Sequence, residues 1–226
     1  MTDKLAVDVW SDVMCPWCAI GWAQFRTALA DLAGEVEVET RFMPFELQPD
    51  MVPEGRNQAE LLAEAYGRSL DEVAAMGRTV EAAADKAGFP MAWAGAGEAP
   101  PKWAWNTHDA HKLLRWALTV AGPQVQSDLK QALFVAHFQQ RLNVSDRAVL
   151  LDLAAAQGLD RAAAAEALAD EALSIAVRLE ERRAAENGIR SVPTYVVNGK
   201  YILQGSSDPA SYKSALIQLA SMEAMA

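Results

Sequence analysis

Trp10-Ser11-Asp12-Val13-Met14-Cys15-Pro16-Trp17-Cys18-Ala19-Ile20-Gly21 is the stretch from which the fold can be read, because both cysteines of the chain lie at its centre. Upstream, Leu5, Val7 and Val9 occupy every second position, the pattern of a half-buried strand. Downstream, Ile20, Trp22, Phe25, Leu29 and Leu32 recur at helical spacing and stop at Gly34. The cysteine pair therefore falls where a strand hands over to a helix. At that point the first backbone N–H groups lack intrahelical partners, and the helix dipole favours negative charge. The expectation is a Cys15 thiol more acidic than free cysteine and usable as a nucleophile. Trp17 carries no positive charge, so that acidity rests on the helix terminus and nearby N–H groups. Pro16 suits the first turn, where its missing N–H costs nothing. Cys18 follows one helical turn later and can attack a mixed disulfide formed on Cys15.

Working outward, residues 36–43 alternate again, so strand, helix and strand form a right-handed βαβ unit with parallel strands. A proline-bearing loop over 44–55 follows, and from about Asn57 to Asn187 the pattern is helical apart from a loop at 88–105. Ser69-Leu70-Asp71-Glu72 is a capping box opening one of these helices. Another is expected over 107–121 with a stop at Gly122-Pro123, then helices over 124–140, 145–157, 160–169 and 171–187. Strand character returns in Thr194–Val197 and Lys200–Leu203, joined by Asn198-Gly199, the strongest hairpin dipeptide. Asp208 caps and Pro209 opens a last helix. The fold class is α/β: a thioredoxin-like core, β-α-β … α-β-β-α, carrying a large all-helical insertion. The expected division is a core of residues 1–55 and 171–226, with 56–170 as the inserted helical domain.

Composition narrows the function classes. A net charge of −10 over 226 residues argues against a nucleic-acid partner, which needs a basic surface. There is no apolar run long enough to span a bilayer, so no membrane partner is expected. Met1-Thr2-Asp3-Lys4 runs into the first strand without a leader-like stretch, which makes the cytoplasm the expected compartment. Two cysteines three apart in a reducing compartment point to catalysis or metal binding rather than a structural staple. A Cys2His2 zinc site with His108 and His111, spaced i, i+3, is the metal alternative. Pro16-Trp17 suits a helix start better than a zinc knuckle, so no metal is assigned.

Other candidates are weaker. Asp12 would raise the thiolate pKa or move a proton if adjacent, or else cap the helix. His111 is a candidate site residue, and His137, between two phenylalanines, reads as structural. Trp93, Trp103 and Trp105 could form an apolar lip or anchor their loop. Glu180-Glu181-Arg182-Arg183 reads as a solvated helix face.

Five segments together carry a family resemblance: 11–18 with Ile20-Gly21, Pro44–Asp50, Asn106–His111, Ser191-Val192-Pro193-Thr194, and Asn198–Tyr201 with Gly205. The chain resembles DsbA-family thioredoxin-fold proteins, within them the FrnE-like oxidoreductases. The resemblance implies Cys15 as nucleophile, Cys18 as resolving cysteine and Pro193 as a cis-proline beside them. Pro16, Trp17, Val192, Asn106 and His111 are then the expected substrate contacts. Related 2-hydroxychromene-2-carboxylate isomerases and kappa-class glutathione transferases carry serine at the position of Cys15, so keeping both cysteines favours disulfide exchange. Ala19 and Ser206-Ser207-Asp208 depart from the relatives' pattern. The expected activity is thiol–disulfide oxidoreduction on protein or small-molecule thiols. The alternatives are a glutathione-dependent transferase or isomerase, and a redox-regulated binding protein. No cofactor is expected beyond the redox-active cysteine pair, with glutathione a candidate co-substrate, and the assembly is a monomer or homodimer.

Overall fold

A computed structural model describes residues 4–224. Its sheet has the order β2-β1-β5-β6, with β1 (Lys4–Ser11), β2 (Glu37–Pro44), β5 (Thr194–Val197) and β6 (Tyr201–Gln204). β1 and β2 run parallel, joined by α1 (Pro16–Asp31), as the right-handed crossover requires. β5 lies antiparallel to β1, with Trp10 opposite Thr194, which sets residue 193 beside the end of β1. The β5–β6 turn takes positive φ at both Asn198 (51°) and Gly199 (67°) and is closed by the Lys200 N–H, which donates to the Val197 carbonyl at 3.0 Å. Asn198 also extends the ladder: its N–H donates to the Ala6 carbonyl at 2.7 Å and its side-chain oxygen accepts from the Ala6 N–H at 2.9 Å.

Alternation along the strands divides the core. Leu5, Val7, Val9, Phe42 and Tyr195 face α1 and the last helix, α8 (Pro209–Glu223), packing on Phe25, Tyr212 and Leu216. Trp10 and Val196 face the opposite way, toward Ala184 and Ile189 at the end of α7 (Glu171–Glu186).

The intervening segment is nearly all helix. α2 (Gln58–Tyr66) and α3 (Leu70–Lys86) are capped by Asn57 and by the Ser69–Glu72 capping box. α4 (His108–Phe134) is two helical arms that meet at a kink at Gly122-Pro123, where the sequence places a stop. Gly122 adopts φ 84°, kinking the helix, and Pro123 opens its second arm, where a proline is tolerated. A wider π-helical turn, Val135–Gln139, follows, then α5 (Arg147–Ala156) and α6 (Arg161–Ala169). One element is not helical: β3 (Arg56–Asn57) pairs antiparallel with β4 (Trp103–Ala104), closing the long loop onto the start of α2. Two-residue strands leave no periodicity to read.

A second core of Leu113, Leu129, Leu133, Leu150 and Leu168 lies among α4, α5 and α6, and Val13 is buried within it. Burying a side chain of this size is worth about 1.5–3 kcal/mol. The turn leading to Cys15 is thereby pinned to the inserted helices. Among the described residues, no helix is long and apolar enough to cross a membrane.

Candidate active site

Cys15 is the N-cap of α1, with Pro16 in the first turn, and its carbonyl accepts the first helical hydrogen bonds from Cys18 (3.1 Å) and Ala19 (3.2 Å). Both cysteines are free thiols. They are not equivalent. Both are buried, at 4% and 1% exposure, but Cys15 lines a groove of about 430 Å³ together with Pro16, Trp17 and Val192, whereas Cys18 does not line it. The facing wall is built by Leu62 of α2 and by Met76 and Val80 of α3, with Met91 and Phe138 also in the lining. Charge is confined to a few positions, chiefly the Glu81–Lys102 ion pair, Arg141 and Arg190. Trp17 is 41% exposed beside the opening.

The Val192–Pro193 peptide bond is cis, and the Val192 carbonyl lies 3.9 Å from the Cys15 sulfur, positioned to accept its S–H. The Pro193 carbonyl accepts from the Gly205 N–H at 2.8 Å. Helix α1 passes close behind this segment because residue 21 has no side chain. A Cβ there would sit 3.1 Å from Pro193 Cγ and 2.9 Å from the Tyr195 hydroxyl oxygen.

Electrostatics beneath the cysteines differ from the sequence expectation. The Cys15 thiol is pushed well up, not down. Its contact with the Cys18 side chain contributes most, followed by burial, with the charges of Cys18 and Asp12 adding; only the Cys18 N–H pulls the other way. The Cys18 side chain and burial, which both favour the protonated form, carry the shift. Asp12 is fully buried and accepts from the N–H groups of Met14 (3.2 Å) and Leu47 (2.7 Å). Burial pushes its carboxyl up, but the His111 imidazole, the Leu47 N–H and Lys130 hold it below the usual carboxylate range. The His111 Nε2 lies 3.7 Å from that carboxylate, longer than a hydrogen bond. Burial pushes the imidazole down, with Asp12 opposing.

His111 and Asn106 are therefore placed away from the expected substrate contacts. His111 is sealed beneath Asp12 at 2% exposure. Asn106 closes the start of α4, its side-chain oxygen accepting from the His108 N–H at 2.9 Å and its amide donating to the Met51 carbonyl at 3.3 Å. Neither lines the groove. His108 is not near the cysteines as a ligand: its ring contacts Glu46 (2.8 Å) and Ser174 (2.7 Å). His137 is buried, which pushes its pKa down to about 4. Trp103 and Trp105 stack on each other at 5.5 Å.

Two further charged residues hold the site in place. Glu181 is no solvated residue: it accepts from the Glu46 N–H at 3.1 Å and pairs with Arg178 at 3.2 Å, while Arg178 also holds Glu46 at 2.7 Å. This fastens the 44–50 loop, which supplies Leu47 and Gln48 to the groove, onto α7. Lys130 is wholly buried under the Asp12–Cys15 turn. Its signal was available. Gln126, Leu129, Lys130, Leu133, Phe134 and His137 form one helical stripe, and a lysine in such a stripe is unusual.

Comparison with known proteins gives a consistent result. Residues 6–217 match the model of the DSBA-like thioredoxin domain. The protein YwbO of Bacillus subtilis is 25% identical over 211 residues, covering 93% of this chain and 94% of its own. The crystal structure of a probable DsbA oxidoreductase of Streptomyces coelicolor superposes with a TM-score of 0.81 at 30% identity, covering 95% of this chain and 89% of that one. The cytosolic disulfide reductase DsbM of Pseudomonas aeruginosa, solved with glutathione, shares the fold at 15% identity and a TM-score of 0.62, covering 98% of this chain and 100% of its own.

Proposed function

The chain belongs to the DSBA-like thioredoxin domain family, a family of thiol oxidoreductases, and on that premise we propose that it exchanges disulfides with thiol substrates through Cys15 and Cys18. The observation that carries this reading is the inequivalence of the two sulfurs: Cys15 lines the groove and Cys18 lies buried behind it. In the forward direction the Cys15 thiolate attacks one sulfur of a substrate disulfide, and the other leaves as a thiolate that takes up a proton. The Cys18 thiolate then attacks the Cys15 sulfur of the mixed disulfide and expels the second substrate thiol. Two electrons pass from the enzyme dithiol to the substrate, leaving a Cys15–Cys18 disulfide; the reverse sequence oxidises a substrate dithiol.

Trp17, Pro16 and Val192 form the near side of the docking groove, and the Val192 backbone is within reach of a substrate strand held at Cys15. On this reading segments 1–55 and 171–226 carry the reacting groups, and segment 56–170 supplies the facing apolar wall. The mainly apolar lining suits a polypeptide or another apolar thiol as substrate. The compartment proposed is the cytoplasm, with glutathione as a candidate small thiol.

The test is redox equilibration. Wild-type protein is held in glutathione buffers of graded poise, quenched with acid, and its free thiols counted by alkylation and mass spectrometry. One two-electron transition is expected, absent in both Cys15→Ser and Cys18→Ser. Two thiols that persist in every buffer would reject the reading.

A further inference from the structure

We propose that Lys130 is the counter-charge of the dithiol, a buried ammonium in α4 that stabilises negative charge on the two sulfurs from beneath the Asp12–Cys15 turn. This rests on the exchange reading above and names the group that makes it workable in so dry a site. Lys130 is 0% exposed. Its ammonium donates to one backbone oxygen, the Ser11 carbonyl, at 3.2 Å, and Ser11 immediately precedes Asp12. The rings of Phe134 and Phe42 lie 5.0 Å and 5.4 Å from the nitrogen, and their faces attract a cation without neutralising it. Among the described residues no carboxylate comes within ion-pair distance of it, since Asp12 is turned to the N–H groups of Met14 and Leu47.

A buried ammonium with no ion-pair partner is expensive, and the surrounding groups must supply the compensating charge. Those facing it are few. Cys18 of α1 acts most strongly, then Asp12 and Cys15 of the preceding turn, and all three draw its pKa up while burial brings it down to about 8. His111, on the same helix, is the other titratable group nearby, and Lys130 helps to hold its ring neutral. Near neutral pH the lysine is thus largely charged, and the sulfurs are the only facing groups whose charge appears and disappears during exchange. The Cys15 thiol, pushed up by its surroundings, needs such a counter-charge when its thiolate forms or leaves. A positive charge that faces a thiolate in a medium of intermediate dielectric is worth on the order of one pKa unit, or tenfold in thiolate fraction.

The experiment compares wild type with Lys130→Met, which keeps an unbranched apolar stem of similar length. Reaction of the reduced protein with a small aromatic disulfide is followed from pH 6 to 10, alongside the thiolate absorbance near 240 nm. The expected result is a rate near pH 7 about tenfold below wild type, with the two profiles converging above about pH 8, where the wild-type lysine loses its charge, onto a common high-pH plateau. Equal rates near pH 7, or a loss that persists undiminished to the plateau, would indicate a merely structural lysine and overturn the proposal. Should the variant not fold, the wild type supplies the reciprocal reading. The wild-type log rate must rise with unit slope below the Lys130 pKa of about 8 and less steeply above it, where the counter-charge is lost before the thiol has titrated, and a profile that follows one simple thiol titration overturns the proposal. Wild-type protein with no reactivity toward disulfides refutes the exchange reading itself, a result distinct from either outcome at Lys130.

Discussion

Replacing Gly21 by alanine sets two effects of known size against each other. Gly21 lies inside α1, where alanine should stabilise the helix by about 1 kcal/mol through propensity alone. Packing argues the reverse. The new Cβ would stand 2.9 Å from the Tyr195 hydroxyl oxygen and 3.1 Å from Pro193 Cγ, with the Ser206 Cβ at 3.4 Å. Tyr195 cannot retreat cheaply, because it is fully buried and stacked on Phe25 at 4.8 Å with Tyr212 at 5.1 Å. Overpacking of a filled site costs about 1–3 kcal/mol. The net expectation is a loss of up to about 2 kcal/mol, which lowers Tm by about 4–8 °C in a chain of this size. The movement should also fall on the segment carrying Val192 and Pro193, so exchange at Cys15 should slow several-fold beyond the stability effect. Calorimetry and a disulfide-exchange assay on folded protein at 25 °C measure the two. A variant more stable than wild type and equally active would show that α1 does not bear on this segment as the distances indicate.

Two further outcomes follow from groups outside the groove. The Gln126 amide serves the edge strand β2 as a neighbouring strand would, accepting from the Phe42 N–H at 2.8 Å and donating to the Phe42 carbonyl at 2.8 Å. Gln126→Leu leaves both buried groups unpaired and should cost about 2–4 kcal/mol in a urea titration, whereas a loss below about 1 kcal/mol would contradict that role. The Glu181 carboxyl is pushed up to about 7, first by burial and then by Glu46, against the pull of Arg178. The native state thus binds this proton more tightly than the unfolded chain. Its stabilising contribution is full below pH ~4.5 and is lost as pH rises through about 7. Relative to Glu181→Gln, wild type should lose about 1–2 kcal/mol between pH 5 and pH 8, a figure discounted for partial solvent access. Parallel stability curves for the two proteins would rule this out.

The sequence disclosed what local chemistry specifies. Cys15-Pro16 at a strand–helix junction, the Ser69–Glu72 box, Asn198-Gly199 and Asp208-Pro209 each act through bonds within a few residues, and each appears where expected. Long-range partnerships were hidden. Glu181 looks like an ordinary helix-surface charge until α7 is laid against the 44–50 loop, and Lys130, though it falls in an apolar stripe, shows what it serves only once α4 is laid under the cysteine turn. Cys15 illustrates the same limit. Its helix terminus is legible, but the Cys18 contact and the burial that push the thiol up come from how the turn packs, and the Val192 carbonyl beside the sulfur comes from 177 residues away. Asn106 and His111 were drawn toward the groove by the family pattern, yet one closes a helix start and the other lies beneath Asp12.

The most direct test of the account is to incubate Cys18→Ser and Cys15→Ser separately with a peptide containing one disulfide and locate the adduct by peptide mapping and mass spectrometry. The groove-lining position of Cys15 predicts a stable mixed disulfide on Cys15 in the first variant and little or none on Cys18 in the second. Equal labelling of Cys18 in Cys15→Ser, or no adduct on Cys15 in Cys18→Ser, would contradict it.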